Sequence, residues 1–167
     1  MTIDELADRE AIKECMYRYC RAVDRADEQL LRSIYWPDAT DRHGAYSGSA
    51  DGFIEFALKA FRVTEPGIHQ VHNILIEFRE GGAWVESYFS AWNEIPTADG
   101  IVNAHQKGRY LDWFEKRGAA WKVKDRTVVF DYMERLPMPE GERAARFGGS
   151  VTIGGSHPDD PVYTARS

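Results

Sequence analysis

The chain has 167 residues, 43% of them hydrophobic, which is enough for one domain with a core of its own and too short to expect two. A net charge of −6, with no block rich in Lys and Arg, argues against binding along a phosphate backbone. No run of about 18 apolar residues is present, and no basic segment followed by an apolar run opens the chain, so a soluble cytoplasmic protein is expected.

The first predicted element is a helix over residues 2–27. Ile12, Met16, Tyr19, Cys20 and Val23 recur at intervals of three and four and make one apolar stripe. Asp24 borders that stripe, one turn beyond Cys20. A carboxylate on a buried edge needs a partner, because leaving water uncompensated is costly, so Asp24 is the first candidate for chemistry. The alternative is a carboxylate solvated or ion-paired with Arg21 or Arg25. Cys15 and Cys20 point in different directions on this helix and match neither a redox motif nor a zinc knuckle; they read as reduced core residues.

Asp27 is placed to cap a short helix, Glu28 to Ile34, that stops before Trp36-Pro37. Residues 38–50 read as a loop with at most one short strand. Ser49 is an expected N-cap for a third helix over 50–63, whose apolar face carries Phe53, Ile54, Ala57 and Phe61. Pro66-Gly67 closes the helical section.

From Ile68 the period changes to two. His72, Ile74, Ile76 and Phe78 share one face of a strand, the Glu80-Gly81-Gly82 turn leads into a second strand over 83–95, and two more strands follow over 101–115 and 120–133. Helices first and an antiparallel meander afterwards make an α+β pattern, with the helices on one face of a strongly curved sheet. Residues 1–136 are therefore read as the domain and 137–167, rich in Pro, Gly and Ser, as an extended C-terminal tail, loosely held or laid across a neighbouring subunit.

On this reading His72 faces the helices, where Asp24 can reach it. A carboxylate bonded to one imidazole nitrogen fixes the tautomer and raises the basicity of the other, which suits proton abstraction near neutral pH. A satisfied core histidine is the competing reading. The segments YRYCRAVDRAD and GIHQVHNILIEF, with Tyr19, Asp24 and His72, resemble the SnoaL-like branch of the nuclear transport factor 2-like superfamily over residues 5–133.

That resemblance implies a cone-shaped α+β barrel and, in its lyases, a cofactor-free Asp/His pair that removes a proton so that a leaving group departs. It places Asp24 and His72 on the dyad and Tyr19 where those lyases carry a catalytic Tyr or Lys. Arg126, in WKVKDRTVVFDY, falls on a strand-borne Arg that contacts substrate or leaving group; a surface Arg is the alternative. His105, Tyr46 and His43 are further candidates for substrate binding. His69 and His72, three apart on a strand, point to opposite faces and cannot share a metal, so none is expected.

The expected activity is elimination, by loss of water or another small group, from an apolar cyclic or aromatic substrate, without cofactor and in a homo-oligomer, by resemblance a trimer. The alternatives are an isomerase or cyclase, a retro-aldol lyase, a carrier of hydrophobic metabolites, and a non-catalytic scaffold like the small subunits of aromatic-ring dioxygenases.

Overall fold

A computed structural model of the chain describes residues 1–165; the last two residues of the expected tail lie outside the described residues. Helix α1 spans Ile3–Asp24, with the Thr2 hydroxyl accepting the Glu5 N–H at its start. It buries the whole expected stripe together with Cys15, Ala22 and Asp24. Helix α2 is Glu28–Ile34, capped by Asp27, which accepts the Leu30 N–H. Helix α3 is Ala50–Phe61, and the Ser49 hydroxyl caps it by accepting the Gly52 N–H at 3.1 Å.

The sheet has six strands rather than four. Strands β1 (Tyr35–His43) and β2 (Tyr46–Ser49) form a hairpin ahead of α3. They are followed by β3 (Ile68–Arg79), β4 (Gly82–Thr97), β5 (Gly100–Arg117) and β6 (Ala120–Leu136), in the order β2-β1-β6-β5-β4-β3. The segment that reads as a loop forms strands because β1 pairs with β2 beside it and, in parallel, with β6, a partner far away in the chain. Pro37 disguises it, and it lies where the β1–β6 register shifts, the position at which a sheet tolerates proline.

The helices pack on one face of this sheet. Val85, Phe89, Tyr110, Phe114, Val123 and Val128 point inward and are buried with Ile12, Met16, Ile34 and Ile54. Burying each such side chain stabilises the fold by roughly 1.5–3 kcal/mol. The opposite face carries exposed Trp84, Tyr88, Trp92 and Tyr132.

Two irregularities decide what the inner face presents. Between Val71 and Ile74, β3 carries one residue more than β4, so the alternation inverts there. Between Tyr132 and Phe130, β6 carries one more than β5, so Tyr132 pairs with Lys107 on the outer face while Phe130, opposite Gly108, stays inside.

After β6 the chain runs through two short helices, α4 (Arg143–Arg146) and α5 (Pro161–Thr164), back over its own body. The His157 N–H donates to the Arg25 carbonyl at 2.6 Å, the Tyr163 hydroxyl donates to Asp27 at 2.8 Å, and Arg143 and Arg146 reach Glu65.

Candidate active site

Residues from α1, α3 and the inner sheet face enclose a cavity of about 300 Å³. Tyr19 and Val23 come from α1, His43 from the end of β1, Phe53, Phe56 and Phe61 from α3, His69 from β3, Asn93 from β4, Gln106 from β5 and Phe130 from β6. The wall is mostly apolar, with five Phe and Tyr rings in it and a few polar groups set among them, as in sites for flat apolar ligands. Gly44 takes φ +59° in the β1–β2 turn, a conformation that suits glycine, and so lets the chain reverse beside His43.

Asp24 meets a histidine here, and it is His69. One Asp24 oxygen lies 2.6 Å from His69 Nδ1, and the carboxylate also accepts the His69 backbone N–H at 2.9 and 3.0 Å. An ionised carboxylate only accepts, so Nδ1 carries the proton and Nε2 is left as the basic nitrogen. Both side chains are nearly buried, with exposures of 11% and 15%. A second donor from the same residue fixes the imidazole to the carboxylate as a rigid unit.

The expected Asp24–His72 contact is corrected. His72 is exposed on the outer face, its Nε2 2.8 Å from the Ser90 hydroxyl. Counting alternation back from Phe78 puts His72 inside, but the extra residue between Val71 and Ile74 reverses the parity, and His69 and Val71 face the helices instead. The sequence carries a trace of this: Val71 and Ile74, both apolar, sit three apart where a regular strand would keep them two or four apart.

The remaining expectations divide. Tyr19 lines the cavity, and burial pushes its phenol up, so it stays a neutral hydrogen-bond donor. His43 also lines it, stacked on Phe53 with ring centroids 4.5 Å apart. Tyr46 does not reach the cavity: its hydroxyl donates to the Ser49 carbonyl and its ring backs Phe53 and Phe56, so it supports the wall. His105 is on the outer face, opposite Trp92 in register and stacked on it at 4.0 Å.

Arg126 faces inward as expected but does not contact the cavity. It is fully buried, and its guanidinium donates to both oxygens of Asp112 at 2.7 and 2.8 Å, from the position directly opposite in β5. Tyr19 and Tyr110 hold their rings 4.2 and 4.5 Å from it. Burial opposes its charge, yet Asp112 more than offsets this and holds Arg126 well above its ordinary range. The anion it requires is inside the protein, in the core beneath Tyr19.

A model of the SnoaL-like domain matches residues 4–127. The chain belongs to the SnoaL-like domain family. Among curated proteins, this SnoaL-like chain is 25% identical over 142 residues to a gamma-hexachlorocyclohexane dehydrochlorinase of Sphingobium indicum, covering 80% of this chain and 87% of that one. The crystal structure of LinA superposes with a TM-score of 0.71 at 23% identity, over 84% of this chain and 97% of that one. A hexachlorocyclohexane dehydrochlorinase of LinA type from Novosphingobium barchaimii gives 0.67 at 22% identity, over 80% and 93%. These superpositions establish the SnoaL-like fold, a curled sheet around N-terminal helices. Among the described residues, no helix is long and apolar enough to cross a membrane.

Proposed function

We propose that this SnoaL-like protein is a cofactor-free lyase that performs base-assisted elimination on an apolar cyclic or aromatic substrate, with Asp24 and His69 as its base. The observation that carries this reading is the 2.6 Å contact between Asp24 and His69 Nδ1 at the wall of a mostly apolar cavity. A carbon acid needs a positioned base whose conjugate acid is stabilised where it forms, and a carboxylate held against the far nitrogen does that in a site with little water.

In this mechanism His69 Nε2 takes the proton from carbon, the electron pair of that bond forms the double bond, and the leaving group departs with its own pair. Asp24 orients the ring and balances the imidazolium. The neutral Tyr19 hydroxyl donates to a carbonyl oxygen next to the acidic carbon, where charge gathers in the transition state. The likeness to a dehydrochlorinase supports elimination over a scaffold role, as does the pairing itself, for which a scaffold has no use.

The test compares two histidines three residues apart, with gamma-hexachlorocyclohexane and a set of aromatic β-hydroxy ketones as substrates. His69→Ala should lower kcat by about 10²–10⁴, the usual contribution of a positioned base, whereas His72→Ala should leave it within about two-fold. Loss of activity in the His72 variant with full activity in the His69 variant would reverse the assignment. As part of the same proposal, the protein is a homotrimer joined through the outer sheet face, where Trp84, Tyr88 and Tyr132 are exposed, and sedimentation equilibrium reads that directly.

A further inference from the structure

The cavity holds a second acid–imidazole pair. Strands β1 and β3 lie far apart in the sheet order, and each brings one histidine to the same space, His43 from β1 and His69 from β3. Behind His43 is Asp41, fully buried, with one oxygen accepting the Tyr35 hydroxyl at 2.7 Å. Its other oxygen has no hydrogen-bond partner, nor has the buried Nδ1 of His43, 3.6 Å away.

The unpartnered oxygen and ring nitrogen face one another. Arg126 gives two hydrogen bonds to Asp112 and reaches Asp41 through the Tyr35 hydroxyl, to which it donates at 3.4 Å, so one Asp41 oxygen is bonded to that phenol and the other has no donor. A buried carboxylate oxygen without a donor is destabilising, and an imidazolium on His43, with Nδ1 3.6 Å away, supplies both a donor and a second positive charge beside it. Phe53, stacked on the ring, is a surface on which a cation is at home. Asp24 differs, since it accepts both a backbone N–H and the ring of His69. The cavity also presents the Asn93 side-chain oxygen, buried and without a partner, at which a substrate hydroxyl can donate.

We propose that His43, charged against Asp41, is the proton donor of this cavity, and that the leaving group is therefore an oxygen that departs as water. The proposal rests on the Asp24–His69 reading and extends it. His69 takes the carbon-bound proton, the carbon–oxygen bond breaks as the double bond forms, and the His43 proton goes to the departing hydroxyl. Afterwards the proton on His69 passes through solvent to His43, so both rings return to their starting states and no oxidant or reductant is consumed. A leaving group that departs as a stable anion would not need His43.

Two experiments test this. In nitrogen NMR of the histidine rings at neutral pH, His43 should show both ring nitrogens protonated; a neutral His43 overturns the proposal and leaves the role of His69 untouched. The second experiment uses two probes that eliminate to the same benzylideneacetone: the β-hydroxy ketone made from benzaldehyde and acetone, and its acetate ester. His43→Gln, which keeps a donor towards Asp41, should slow the hydroxy ketone by about 10² or more and the acetate by less than about three-fold. His69→Ala should slow both. Equal loss on both probes in the His43 variant, or no loss on either, overturns the donor role, while a His69→Ala variant active on both defeats the base instead.

Discussion

Replacing Arg126 with Met distinguishes a core residue from a substrate-binding one. The side chain has no exposed surface, and its partner Asp112 has none either, so the substitution leaves a carboxylate in the core without its cation. Breaking one side of a buried pair in this way costs about 3–5 kcal/mol, more than any exposed ion pair on this surface contributes. In a chain of this length each kcal/mol moves the melting temperature by about 2–4 °C, so the midpoint should fall by about 6–20 °C. Urea unfolding followed by tryptophan fluorescence reads the same loss as a lower midpoint at unchanged slope. The double variant Arg126→Met with Asp112→Leu should recover about 2 kcal/mol or more, because removing both charges removes the uncompensated one. A single variant that lost less than about 1 kcal/mol but abolished turnover would refute the reasoning and return Arg126 to the substrate.

Further outcomes follow from burial and close approach. Burial pushes the Cys15 and Cys20 thiols up to about 12, so an aromatic disulfide reagent at mildly alkaline pH should leave both unmodified in the folded protein and label both in urea; labelling of either at the rate of a free thiol would contradict their burial. Gly108 lies opposite Phe130, beside the extra residue in β6, and a methyl group there would stand 2.0 Å from the Val129 carbonyl oxygen and 2.9 Å from the Phe89 ring. Gly108→Ala should therefore destabilise the protein by about 1–3 kcal/mol, and an unchanged unfolding midpoint would show that the sheet has slack at this point.

The helices were legible in the sequence because their signals are local. Asp27 and Ser49 cap helices from the positions their side chains require, and the stripe from Ile12 to Val23 is buried as its spacing demands. The meander over β3 to β6 was legible for the same reason, since alternation and the Gly-Gly turn are properties of neighbouring residues. Asp24 also stood out, as a charge at the edge of an apolar face.

What only the tertiary structure decided was pairing. Strand β1 is held between β2 beside it and β6 far along the chain, and nothing within Tyr35–His43 announces the second partner. The choice of His69 over His72 rests on a single extra residue between Val71 and Ile74, and the placing of Tyr132 outside rests on another in β6. Alternation tells which residues share a face only while the register is unbroken, and a bulge is a property of two strands together. Asp112 and Asp41 likewise gained their roles from what the fold brought to them, one by standing opposite Arg126 and the other by lying behind His43. Composition and local spacing thus set the elements and the chemical vocabulary of the site, while strand register selected which imidazole Asp24 holds.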